Sequence, residues 1–392
     1  MENSSWINDL KLRASVGQVG NDGNNDNDSL PFYVSQSTFS LGFDNGSEGG
    51  VVTNASGATD LQWEVNTQTD VAVEFGLFKN RLKGSIEYYN RKTDELIFLL
   101  PNPLSSGLDN RYENIGSMYN RGFEVSLDGT IIKTPDFSWG LNINASTVKN
   151  EITKLPQKEI IDVTKKLAVG QSRYDFWLRD WYGVDPADGY ALYVSDPSLI
   201  VAGDTTQRVV NGVNVTTDQN KALYHYSGSA IPDLYGSFGT NVEYKGLKLE
   251  VLFAYQIGGK MYDTNYAALM HTGNNYGSAL STDIYNRWQK PGDITDVPRL
   301  DINRNTQSSA ASDRWLIGAD YLSFRQINLS YKMPSNLISK LKIDNATLYV
   351  NGENLMLFTK RQGSDPSQTF NGTTQNRFTP SRVITLGLNL NF

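Results

Sequence analysis

About ten segments of this chain alternate apolar and polar side chains at every second position, and the connections between them alternate strictly between short and long. A period of two dictates extended strands with two unlike faces. The last segment carries the pattern most cleanly. Ile384, Leu386, Leu388, Leu390 and Phe392 fall on one face, and Val383, Thr385, Gly387, Asn389 and Asn391 on the other. It bears no charge after Arg382 and stops on an aromatic ring. About ten residues is the length needed to cross a bilayer at a tilt, with Phe392 at the interface as a strand-end signal for barrel assembly. An Arg at Leu388 is then expected to cost roughly 2–4 kcal/mol, provided that position faces the lipid midplane. A soluble sandwich also gives apolar-in, polar-out alternation, so this strand alone leaves both folds open.

The connections separate them. K-N-R (Lys79 to Arg81), K-T-P-D (Lys133 to Asp136) and K-G (Lys245, Gly246) are short, and Pro334 to Asp344 is somewhat longer. Residues 20–61, 98–112, 150–232, 258–318 and 358–380 read as long loops rich in Gly, Asn, Ser, Asp and Pro. Bacterial outer-membrane barrels have short periplasmic turns and long extracellular loops, whereas a sandwich has no reason to alternate them. The fold expected is all-β, an antiparallel transmembrane β-barrel of about ten strands.

Composition agrees. Hydrophobic residues are 39% of the 392 and no run of 18 apolar residues occurs, which fits a barrel in which only every second strand residue meets lipid. The net charge of -7 supplies no basic stripe for nucleic acid. With no Cys, disulfides and thiolate metal sites are excluded. The start, M-E-N-S-S-W-I-N-D-L, lacks the basic and apolar regions of a signal peptide. Since such a protein must be exported, the chain is expected to be part of a longer one.

Several stretches resemble one family. L-Q-W-E-V-N-T-Q-T-D-V-A-V-E-F-G-L-F-K-N-R-L (Leu61 to Leu82), E-Y-Y-N-R-K-T-D-E-L-I (Glu87 to Ile97) and E-N-I-G-S-M-Y-N-R-G-F-E (Glu113 to Glu124) are similar to hairpins of SusC/RagA-like TonB-dependent outer-membrane transporters. So are N-R-W-Q-K-P-G-D-I-T-D-V-P-R (Asn286 to Arg299), Y-L-S-F-R-Q-I-N-L-S-Y (Tyr321 to Tyr331), N-G-E-N-L-M-L-F-T-K (Asn351 to Lys360) and G-S-D-P (Gly363 to Pro366). The resemblance spans nearly the whole chain. It implies that residues 1–392 are the C-terminal portion of a 22-stranded barrel, without plug domain or signal peptide. It also implies TonB-coupled import of oligosaccharides or peptides. The implied partners are a SusD-like surface lipoprotein, the TonB complex through a plug, outer-membrane lipid and the barrel-assembly machinery. The alternative is a smaller, self-closed barrel acting as a surface-binding module, since an even number of strands permits closure.

Sites are harder to read. Phe176, Trp177, Trp181, Tyr182, Tyr190 and Tyr193 cluster in the longest loop. Trp177, Trp181, Tyr182 and Tyr190 are candidates for stacking on cargo, against the plainer reading that they pack the loop on itself. The acidic run N-D-G-N-N-D-N-D-S (Asn21 to Ser29) offers Asp22, Asp26 and Asp28 but lacks the Gly and Glu of a calcium loop, and reads as a solvated turn. His225 and His271 are too few for a metal site and read as surface histidines. Asp180 and Asp185 are one of many accidental carboxylate pairs, so neither catalysis nor a cofactor is expected.

Overall fold

A computed structural model describes all residues except 1–5, 24–29, 44–45, 47–48, 109, 274–276, 339–341, 362, 376 and 392. Among the described residues, ten long strands form one antiparallel meander. They are β1 (Ile7–Asn21), β2 (Glu64–Leu77), β3 (Leu82–Asp94), β4 (Ser117–Lys133), β5 (Phe137–Ser146), β6 (Leu234–Tyr244), β7 (Leu247–Ile257), β8 (Tyr321–Lys332), β9 (Asn345–Thr359) and β10 (Val383–Asn391). Each pairs with its sequence neighbours in the set. The tight connection between β6 and β7 puts Lys245 and Gly246 both at positive φ, 48° and 87°. That is the mirror-image turn whose twist matches a hairpin, and Gly at its second position fits it.

The two faces differ as the alternation requires. One unbroken row of register partners runs Leu127, Ile143, Phe238, Phe253, Phe324 and Met356 from β4 to β9. Another runs Leu249, Leu329, Val350 and Leu386 from β7 to β10. Stacked rings reinforce the first row, with centroids 5.1 Å apart for Phe238–Phe253 and 4.7 Å for Phe253–Phe324. No second sheet covers this face among the described residues. Leu386 and Ile384 are each 72% exposed and Leu12 is 78%. An apolar surface ten strands wide is far larger than a soluble monomer leaves bare, and it matches a lipid-facing band. Trp6, Phe78, Tyr244 and Tyr331 flank the band beside the short turns, where amphipathic rings suit an interface.

The opposite face is polar. Lys11 pairs with Glu74 at 3.1 Å and Arg13 with Glu87 at 2.6 Å, and Gln68 accepts from Arg91 at 2.9 Å. Gly387 sits on this face beneath the Tyr349 ring. A Cβ there would lie 2.2 Å from the ring, so the residue permits a close approach rather than a turn.

The ten-stranded closure left open by the sequence is not formed. The hydrogen-bonded path starts at β1 and ends at β10, and among the described residues nothing joins the two. Bare strand edges are unsatisfied in lipid, so this sheet is an arc that further strands must complete.

The long connections are not irregular. Residues 147–233 contain two four-stranded sheets. One is built from Glu159–Asp162, Lys165–Ala168, Asp175–Arg179 and Tyr224–Ser229, the other from Trp181–Val184, Ala191–Val194, Gln207–Val210 and Val213–Thr216. Hairpins Thr38–Leu41 with Val51–Ala55, and Ile97–Pro101 with Asn110–Asn114, stand in the first two connections. Strands of four to six residues give too short a run for a period to register, so in sequence these segments look like loop. The main buried cluster also lies here, with Phe176, Leu178, Tyr262, Met270, Ile284, Val297 and Trp315 joining residues 147–233 to 258–320. The dry core of this chain is in its loops.

Candidate functional site

A cavity of about 690 Å³ lies between the polar face of the sheet and the underside of the loop layer. Its floor includes Asp70 of β2, Tyr89 and Arg91 of β3, Glu124 of β4, Tyr235 of β6 and Tyr321 of β8. β2 and β8 are six steps apart in the sheet, roughly 29 Å if the sheet were flat. One cavity touches both, so the sheet curls with its polar face inward. Tyr89 is fixed across β4 by donating its hydroxyl to Thr147 O at 3.0 Å. Glu87 and Glu124 stand directly opposite each other in the register. Arg13 balances Glu87, whereas no ion pair reaches Glu124 among the described residues. Glu, Asp, Arg and Tyr at this wall form a polar lining that can hydrogen-bond a bound molecule while its rings supply apolar area.

The roof is a packed structure. Tyr174 borders the cavity and meets the Phe370 ring edge-on at 5.2 Å. Behind it, Lys165 is only 8% exposed, donates to Tyr174 O at 2.7 Å, and places its ammonium 3.3 Å from the centre of the Phe176 ring. Burial pushes the Lys165 amine down to about 7, with the Asp175 and Asp162 carboxylates acting in the opposite sense. An unfolded lysine holds its proton up to about pH 10.4. Between pH 7 and 10 the unfolded chain therefore binds more protons at this site than the folded one, and stability rises with pH. The loop layer is expected to gain on the order of 2 kcal/mol over that window, and Lys165→Met to lose the gain. Urea-dependent pulse proteolysis at pH 7 and pH 9.5 reads this out. Parallel profiles for the two proteins would remove Lys165 as a buried titrating amine.

The aromatic residues singled out in sequence lie in the loop layer and do not line the cavity. Trp177 packs against Tyr224 and Tyr226 with Lys166 Nζ over its ring at 4.0 Å. Trp181 meets Tyr193 edge-on at 5.3 Å and carries the Arg314 guanidinium at 4.6 Å. Tyr182 donates to Val210 O at 3.2 Å. Tyr190 lies between Arg299 and Arg304, each 4.1 Å from its ring centre. Phe176 and Tyr193 are fully buried. Each ring thus has neighbours within the layer. Phe392 and most of the Asn21 to Ser29 run lie outside the described residues.

His271 departs from the expected surface histidine, whereas 38% of the His225 side chain stays exposed. His271 is 7% exposed and accepts from the Gly273 N–H at 3.1 Å. His225 is half-buried, with Nε2 3.2 Å from Asp313 Oδ2 and 3.2 Å from Ser227 Oγ. Because both partners share one nitrogen, this Asp–His–Ser group cannot relay a proton as a hydrolase triad does. Burial raises the Asp180 carboxyl above its usual range, with His225 lowering it and Asp313 raising it further. Asp185 is committed to Arg208 at 2.6 Å. Many loop aspartates simply cap turns: Asp196, Asp204, Asp218, Asp301 and Asp365 each accept the N–H two residues on. The cavity residues carry no signature of their own in sequence, because an inward-facing Glu or Tyr looks like any other polar member of an alternating strand. The available signal is the polar set on β2, β3 and β4 nearest the long connections.

Residues 4–355 match the family model described as TonB dependent receptor-like, beta-barrel. The chain is 27% identical over 419 residues to TonB-dependent receptor P3 of Formosa agariphila, covering 100% of this chain and 40% of that protein. It is 25% identical over 395 residues to TonB-dependent receptor SusC of Bacteroides thetaiotaomicron, covering 98% of this chain and 38% of the relative. Among solved structures, the RagAB peptide transporter superposes with a TM-score of 0.81 at 26% identity, over 100% of this chain and 42% of that one. The chain thus spans about two fifths of the length of the relatives it matches.

Proposed function

The chain belongs to the TonB-dependent receptor-like β-barrels of the outer membrane, and from that membership we propose that it supplies the C-terminal strands of a nutrient importer for oligosaccharides or peptides. The observation that carries this reading is the polar, loop-roofed cavity on the concave face of a lipid-facing sheet. A lumen wall needs that arrangement, with apolar residues outward and guest-binding groups inward. The β1 and β10 edges then pair with strands contributed by the rest of the receptor, closing a 22-stranded barrel. A plug domain elsewhere in the full protein couples it to the TonB complex, and a SusD-like lipoprotein covers the extracellular loops. The chain acts as a transport wall rather than as an enzyme.

The test uses the intact receptor in cells that depend on it, with uptake of fluorescent oligosaccharide and peptide panels as the readout. Glu124→Trp fills the cavity from its floor and is expected to cut uptake by about tenfold or more. Heat-modifiable migration should stay normal, showing that the barrel still assembles. Unchanged uptake by a correctly assembled variant would mean that cargo does not pass this cavity.

A further inference from the structure

Asp180, His225 and Asp313 meet at a point that the transport reading does not use. Asp180 follows the strand Asp175–Arg179, and His225 lies on the adjacent strand Tyr224–Ser229 through the Leu178–His225 register pair. Asp313 arrives from the other long connection. It is held there by the bridge between Arg179 and Ser312 and by the Trp181 N–H, which donates to Asp313 Oδ1 at 2.9 Å. One ligand atom from each of the three lies within 4.8 Å of the others.

We propose that these three side chains bind a divalent first-row transition ion of the zinc class, which fastens residues 147–233 to residues 258–320 above the cavity. The donor set argues for that class. One imidazole nitrogen with two carboxylates suits zinc or manganese, whereas calcium takes oxygen donors alone. Two carboxylates and a neutral imidazole carry two negative charges, matching the cation. Three protein ligands also leave positions for water.

The geometry needs little adjustment. Ligand atoms about 2.1 Å from a tetrahedral zinc stand about 3.4 Å apart, and His225 Nε2 and Asp313 Oδ2 are already 3.2 Å apart. Asp180 has to swing inward, and the Ser227 hydroxyl, 3.2 Å from the same Nε2, has to give up that contact while keeping its bond to the His225 carbonyl at 3.2 Å. The Asp180 carboxylate makes no hydrogen bond among the described residues that such a movement would break. The neighbouring cation is occupied elsewhere, since Arg179 donates to the carbonyls of Gln219 and Ala311 at 2.8 and 3.1 Å. Asp313 keeps Oδ1 on the Trp181 amide, an outer contact that orients Oδ2 toward the site.

The experiment is a calorimetric titration of the chelator-stripped, full-length receptor in detergent with Zn²⁺. One saturable site is expected, with Asp180→Asn, His225→Asn and Asp313→Asn each weakening it by about tenfold or more. Zn²⁺ should also slow proteolysis of the loop layer in the wild type and not in the variants. Affinity that survives in all three variants, or no binding to the wild type, overturns the proposal in favour of adventitious or proton-only chemistry. Should the variants misfold, Co²⁺ added to the wild type decides. A visible ligand-field band from a low-coordinate nitrogen and oxygen site supports the assignment, and a spectrum of hydrated cobalt alone rejects it. The outcome does not depend on the cargo, because loss of transport and loss of this ion are read by separate assays.

Discussion

Leu388→Arg should lower the unfolding free energy of the lipid-embedded receptor by about 2–4 kcal/mol, while Asn389→Arg, one residue further along the same strand, should cost little. β10 is nine residues long, Val383–Asn391. Its central residue is Gly387, so Leu386 and Leu388 flank the middle of the crossing on the outward face. Leu388 is 52% exposed and pairs in register with Leu348, which shares the apolar face. A guanidinium there has only hydrocarbon to solvate it. Asn389 pairs with Thr347 on the polar side, where water and other polar groups are within reach. Chemical unfolding in thin lipid vesicles measures both variants. Equal costs, or a larger cost at Asn389, would mean the two faces are assigned the wrong way round.

The two faces are legible in the sequence for a physical reason. Lipid acts uniformly on every second residue of every crossing strand, so ten strands repeat one message. The turns reinforce it, since Lys245–Gly246 and Lys79–Asn80 must adopt positive φ to reverse the chain tightly. The loop layer has no such repetition. Trp181–Val184 and Ala191–Val194 are four residues each, and their burial depends on partners more than a hundred residues away. Tyr193, for example, donates its hydroxyl to Gln307 O at 2.5 Å. No local pattern encodes that contact. The cavity is hidden in sequence for a related reason: Asp70 and Tyr321 lie 251 positions apart and come to line one cavity only when the sheet curls. The Asp180–His225–Asp313 group has no signature in sequence, because the number of histidines says nothing about which carboxylates a fold brings to one of them.

The loop layer also makes the second large effect predictable. Trp315→Ala should destabilise it by about 3–5 kcal/mol while leaving the barrel strands intact. Trp315 is 1% exposed and packs with Phe176, Leu178, Tyr262, Met270, Ile284 and Val297. Its indole N–H donates to Ala310 O at 2.9 Å, and the Arg314 guanidinium lies 4.4 Å from its ring. Truncation removes the ring from a core built by two connections and leaves a void that neither can fill alone. It also strips Arg314 of a ring partner. Because β1 to β10 are held by their own ladder and by lipid, the loss falls on the loops. Hydrogen exchange of the full-length protein separates the two. Amides in Asp175–Arg179 and Lys260–Tyr262 should exchange at least a hundredfold faster, while those of β6 and β7 keep their protection. Tyr174 borders the cavity next to this core, so its roof should loosen in the same variant. Unchanged protection around Phe176 would show that Trp315 is not what holds the two connections together.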